Sequence, residues 1–290
     1  HTRYISVTGV QTCALPIFFL PSFLFSTAEF GIIPSVPATA ELLGADLATA
    51  GVITSMMMIG RLCADIPAAK FVDFFGERKA MILASLISAL GILSSLFAVN
   101  LFMLGAGVFL VGSSAAVFGL ARLAWMTEHV PIEVRARSLS ILGGMFRAGS
   151  FAGPFIGALL IQYVSIQAVY YLPLVLCGLA AIILASTKSE PDQMKNASSL
   201  KETYLVAKRE SKKLATLGVA SSILSALRGT RMVGLPLIAL ALHIPADQAS
   251  LYIAYAGALD FAMFYLSGQI MDRFGRSFRS EEHTSELQSH

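Results

Sequence analysis

Six ionisable side chains stand inside segments that are otherwise apolar: Glu29, Arg61, Asp65, Arg228, Arg231 and Asp260. A carboxyl group in such surroundings can take up and release a proton, because removal from water favours its neutral form. An arginine there keeps its charge and can hold an anion or a carboxylate in a planar fork of donors. Spacing sorts the six onto helix faces. Arg61 and Asp65 are four apart and share one face; Arg228 and Arg231 are three apart and share another. A charge at mid-bilayer costs from about 2.5 kcal/mol upward, so residues of this kind usually mark a pathway.

If Arg61 pairs with Asp65 within its own helix, Glu29 lacks an assured partner and is the first candidate for a proton carrier, with Asp65 second. Counting from Phe18 at about 1.5 Å per residue puts Glu29 about 17 Å along its segment, near mid-depth. Arg228, Arg231 and Asp260 then complete a polar cavity. The competing expectation is that all six form fixed ion pairs that set helix register.

The elements that position these residues are membrane helices. Hydrophobic residues make up 56% of the chain and charged ones only 13%, with mean hydropathy +0.71. A soluble chain carries about a quarter charged residues. Eight apolar spans can be marked, near 18–39, 47–71, 80–99, 101–126, 138–163, 166–186, 214–242 and 250–271; about 20 residues suffice to cross a bilayer. Lys70, Arg78, Lys79, Arg135, Arg137, the stretch Lys188 to Lys213, Arg273 and Arg276 fall in alternate loops, and the other loops contain no Lys or Arg. By the positive-inside rule the basic loops, the N-terminus and the central loop are cytoplasmic, in a multi-pass protein of the cell membrane. The pI near 8.8 therefore reflects orientation, and no nucleic-acid partner is implied. Lipid is one partner and a small-molecule substrate the other.

The central stretch Lys188 to Lys213 holds seven basic and four acidic residues and divides two bundles as a solvated linker, within which Leu200 to Glu210 could form a short surface helix. Both ends of the chain look foreign. Val7 to Ile17 and Arg279 to Ser289 can be back-translated into strings that are reverse complements apart from end bases, resembling a common sequencing adaptor. The expected organisation is adaptor at 1–17, a six-helix bundle at 18–186, linker at 187–213, the first two helices of a second bundle at 214–278, and adaptor at 279–290. Cys63 and Cys177 sit alone in separate spans and offer no disulfide or metal pattern. The fold class is all-α, a polytopic helical bundle.

An internal repeat sharpens this. Ala69-Lys-Phe-Val-Asp73-Phe-Phe-Gly76-Glu-Arg78-Lys79 follows the second span, and Gly268-Gln-Ile-Met-Asp272-Arg273-Phe-Gly275-Arg276 follows the eighth, with their aspartates 199 positions apart. The same offset lays Pro37 on Pro236, Glu29 on Arg228 and Arg61 on Asp260. The acid and base of spans 1 and 2 thus reappear in spans 7 and 8 with their signs exchanged.

These features resemble the major facilitator superfamily over essentially all of Phe18 to Phe278. The two Asp-x-x-Gly loops, the long central loop and Gly149-Ser-Phe-Ala-Gly153-Pro154-Phe-Ile-Gly157 in span 5 carry the resemblance. It implies two six-helix bundles, the first complete and the second partial here, with helices 9 to 12 missing from this chain. It also implies that Asp73, Gly76 and Arg78, with the copy Asp272, Arg273, Gly275 and Arg276, help hold the cytoplasmic side closed. The first copy has Ala69 where a Gly is usual, and Phe74 and Glu77 where Arg is usual, so its latch is expected to be the weaker.

The small residues Gly149, Gly153 and Gly157, four apart, let a neighbouring helix approach closely, and Pro154 can bend the helix. In the family this stripe resembles the signature of antiporters and goes with export. The leading expectation is therefore efflux of a small organic solute by proton antiport, from a monomer when full length. The main alternative is proton-coupled uptake. No Gly-x-x-x-x-Gly-Lys-Ser/Thr loop is present for ATP, so an ion gradient is the expected energy source and no cofactor is implied. A membrane-embedded enzyme would need a nucleophile elbow or metal-ligand spacing, and the sequence has neither. Arg147 lies in the basic half of span 5. Arg122 and Glu128, near the basic end of span 4, are expected to join Arg135, Arg137 and the Asp73 loop in one network. His129 and His243 read as loop residues, and Met56, Met57 and Met58 as lipid-facing or packing residues, although methionine also suits promiscuous binding surfaces.

Overall fold

A computed structural model describes residues 18–186, 209 and 211–274. Both adaptor-like ends, most of the linker with its expected surface helix, Gly275 and Arg276 lie outside the described residues. The rest forms eight helices: α1 (Phe18–Leu42), α2 (Leu47–Phe75), α3 (Glu77–Leu96), α4 (Leu101–His129), α5 (Ile132–Tyr163), α6 (Ala168–Ser186), α7 (Ser211–Ala241) and α8 (Ala246–Phe274). Among the described residues there is no strand. Each helix overlaps one expected span. Several overrun it at the basic end, where charged residues continue the helix beyond the apolar stretch. Seven contain a stretch long and apolar enough to cross a membrane; α7 carries Arg228 and Arg231 within its 31 residues.

Helix α1 is interrupted at residues 33–34, where Pro34 starts the second segment, Ser35–Leu42. Proline removes a backbone donor and crowds the preceding turn, which breaks the helix. Helix α4 is the hub of the first set and packs along both α2 and α3, while α3 also packs along α6. Glycines permit this proximity: Gly60 of α2 lies against the Phe109 carbonyl, and Gly112 of α4 against the Met57 carbonyl. Ser113 Oγ donates to the Gly60 carbonyl at 3.1 Å, tying α4 to α2. Stacked rings fill the core, Phe25 on Phe118 at 4.0 Å and Phe18 on Trp125 at 3.7 Å. Buried Tyr170 of α6 donates to Thr39 of α1 at 2.9 Å.

The stripe on α5 meets α1. A methyl group at Gly149 would approach the Thr27 nitrogen at 2.9 Å, and one at Gly153 would approach the Gly31 nitrogen at 2.7 Å. A methyl group at Gly157 would lie 3.3 Å from the Gly31 carbonyl oxygen. On its other side α5 packs along α8, where Gly257 lies against the Ser150 carbonyl. Helix α7 touches α2 and the second segment of α1. The two sets of helices therefore meet along α5–α8 and α2–α7.

Candidate functional site

A cavity of about 840 Å³ lies between the two sets. Arg61 and Asp65 of α2, Arg147 of α5, Arg228 and Arg231 of α7, and Asp260 of α8 line it. Its apolar walls include Phe30, Met58, Phe146 and Val233. Five of the six residues singled out from sequence thus converge on one space, and the sixth, Glu29, lies just behind it. Close crossings fix their backbones: Gly60 precedes Arg61, Gly257 lies one turn before Asp260, and Gly229 follows Arg228 with a Met58 methyl 2.9 Å from where its Cβ would be.

The pairing differs from the expectation. Glu29 is only 3% exposed and accepts a hydrogen bond from Arg61 Nη2, so Arg61 reaches across to α1 instead of along its own helix to Asp65. Proximity on one helix face made Asp65 available to Arg61. Burial decides otherwise, because an unpartnered carboxylate costs far more inside the bundle than beside a cavity. Asp65 faces the cavity with no ion pair or hydrogen bond among the described residues.

A second cluster centres on Asp260. Arg147 Nε stands 3.8 Å from its Oδ2, and Arg231 Nη2 stands 3.9 Å from the same atom. These separations exceed hydrogen-bond length, so charge and not a shared proton holds the three together. The Arg147 guanidinium also lies 4.1 Å from the centre of the Phe264 ring. Arg228 has no ion pair or hydrogen bond among the described residues.

Arg122 turns away from the basic end, where a network with Arg135 and Arg137 was expected. It lies inside the bundle with its guanidinium 5.4 Å from the Phe146 ring centre and within electrostatic reach of Glu29. The aromatic face and the buried carboxylate draw it inward. Arg135 Nε donates to the Val130 carbonyl at 3.2 Å.

At the loop after α2, Gly76 takes φ +78°, a conformation glycine adopts at least cost, and turns the chain into α3. Arg78 donates through Nε to the Leu184 carbonyl at 2.7 Å and through Nη2 to the Ala185 carbonyl at 2.8 Å. It thereby caps the end of α6. Asp73 makes no hydrogen bond or ion pair among the described residues. Asp272 and Arg273 belong to the last turn of α8, and their side chains lie outside the description.

At the opposite end a smaller cavity of about 290 Å³ separates α1 from α7, and the repeat-related Pro37 and Pro236 both line it, with Glu41 and His243. Sequence reasoning did not place Arg147 or His243 at these cavities. A lone arginine in the basic half of a span and a loop histidine carry no periodic signal of what they face.

A helical bundle built on a repeated unit, with an ionisable cavity between its helix sets, is the arrangement found in secondary-transporter folds. The chain belongs to the Major Facilitator Superfamily, which matches residues 18–280. It is 30% identical over 152 residues to the tetracenomycin C resistance and export protein of Streptomyces glaucescens, covering 51% of this chain and 27% of that protein. It is 24% identical over 173 residues to the uncharacterized transporter YfkF of Bacillus subtilis, covering 59% of this chain and 44% of that one. The matched part is less than half the length of either relative. The crystal structure of a D-xylose–proton symporter shares the fold with a TM-score of 0.66 at 14% identity, covering 91% of this chain and 69% of that chain.

Proposed function

We propose that the protein exports small organic solutes from the cytoplasm in exchange for protons, by alternating access, with its basic loops on the cytoplasmic face of the cell membrane. The observation that carries this reading is the disposition of Arg61 between two carboxylates. It is bonded to buried Glu29, while Asp65, one turn along the same helix, faces the cavity. A proton arriving at Glu29 Oε1 would remove the carboxylate's charge and reduce the bond from Arg61 to a weaker, neutral one. The guanidinium, keeping all its protons, would turn to Asp65 and alter the charge presented to a solute. Loss of the proton on the other side would restore the first arrangement. Two observations support the outward direction: the tight α5–α1 crossing at Gly149, Gly153 and Gly157, and the likeness to a protein named for resistance and export.

The test is transport by the full-length protein in proteoliposomes with the pH gradient imposed in each direction, using radiolabelled aromatic acids, phenols and amines as a panel. Wild-type protein is expected to move a solute against its gradient only when protons flow the opposite way, and Glu29→Gln to lose that drive while retaining downhill exchange. Proton-driven movement by Glu29→Gln at the normal rate and pH dependence would remove Glu29 from the mechanism. Solute and protons moving together would overturn export by antiport in favour of uptake.

A further inference from the structure

We propose that the cavity selects organic anions and that Arg228 is the group that receives the anionic end. This rests on the cavity being the transport site. Four arginines line the cavity against two aspartates. Three of them are already engaged with carboxylates: Arg61 with Glu29, and Arg147 and Arg231 with Asp260. Arg228 faces the same space without a carboxylate or a hydrogen bond among the described residues. Its five N–H donors are consequently available to a ligand, and a carboxylate or phosphate can accept two of them in parallel. An arginine cannot discard its proton to relieve desolvation, so an incoming anion gains most where no internal carboxylate competes.

Geometry holds the group in place. The Met58 methyl packs at Gly229, fixing the α7 backbone beside Arg228 against α2. The neighbouring Thr230 hydroxyl donates to the Ala226 carbonyl at 2.9 Å and is spent within the helix. Phe30 and Phe146, edge to face at 5.1 Å, supply an aromatic wall across the cavity. A flat ring bearing one carboxylate matches both features.

Three probes sharing one ring separate charge from shape: 1-naphthoate, 1-naphthol and 1-naphthylmethylamine. Equilibrium binding of each to purified full-length protein, with no gradient, is expected to rank naphthoate at least about tenfold tighter than the other two. Arg228→Gln should reduce naphthoate to the naphthol level, and Arg228→Lys should retain part of the preference, with size-exclusion profiles unchanged in both. Equal affinities for the three probes in wild-type protein, or an undiminished preference in Arg228→Gln, would overturn the assignment. Proton-driven transport without charge preference would sink the anion site alone. Naphthoate bound but never driven by a pH gradient would sink the transport reading and leave the site standing.

Discussion

Helices α1–α2 and α7–α8 repeat one backbone while using opposite charges. After α1 the Gly44 and Ala45 amides bond to the Glu41 and Ala40 carbonyls at 2.9 and 3.0 Å. After α7 the His243 and Ile244 amides bond to Leu240 and Ala239 at 3.0 and 2.9 Å. The offset is again 199. Both are Schellman ends with a left-handed residue, Gly44 at φ +87° and His243 at φ +54°. The ion pairs do not repeat. Glu29 and Arg61 meet in the interior, but their counterparts Arg228 and Asp260 do not pair: Asp260 is taken by Arg231, one turn along α7, and by Arg147 of α5. Backbone turns tolerate exchanged side chains because main-chain hydrogen bonds define them. Ion pairs do not, because each is set by what burial leaves without a partner.

The largest effect should separate the two ion pairs. Arg61→Ala strands a carboxylate that is 3% exposed and should cost about 3–5 kcal/mol. Arg231→Ala leaves Asp260, 44% exposed, with Arg147 and should cost about 1 kcal/mol or less. Thermal unfolding in nanodiscs measures both, and equal losses would erase the distinction between a buried pair and an open one.

The next effect tests the shared turn. His243→Gly should stabilise by about 1 kcal/mol, since only glycine adopts a left-handed conformation without cost, and Gly44→Ala should destabilise by a similar amount. Opposite signs in the same assay are the expected result.

The smallest effect concerns where the helices after those turns begin. Asp46 accepts from the Thr49 amide at 3.0 Å and caps α2, whereas Pro245 holds the equivalent place before α8. The hydrogen bonds from Thr49 hold the Asp46 carboxyl below the usual carboxylate range. Its folded-state value is depressed, so its contribution is present above the ordinary carboxylate value and fades as pH falls below it. Unfolding of Asp46→Asn measured from pH 6 downward should show a slightly shallower loss of stability than wild type.

Much of this was legible in the residues. The hydrophobic runs marked all eight helices, and the 199-residue offset alone brought Glu29, Arg61, Arg228 and Asp260 into register. Partners were less legible. Helical periodicity tells which residues share a face, which is why Asp65 looked like the mate of Arg61; it does not tell which face of another helix lies opposite. Arg147 meeting Asp260, and Arg122 turning toward Phe146, depend on crossings made at glycines far apart in the chain.

The grip of Arg78 on the Leu184 and Ala185 carbonyls works as a long-range staple. The end of α6 lies 106 and 107 residues along the chain from the arginine that caps it. That one side chain closes a loop of more than a hundred residues, so the order of α3 and the far end of α6 is coupled in the finished protein.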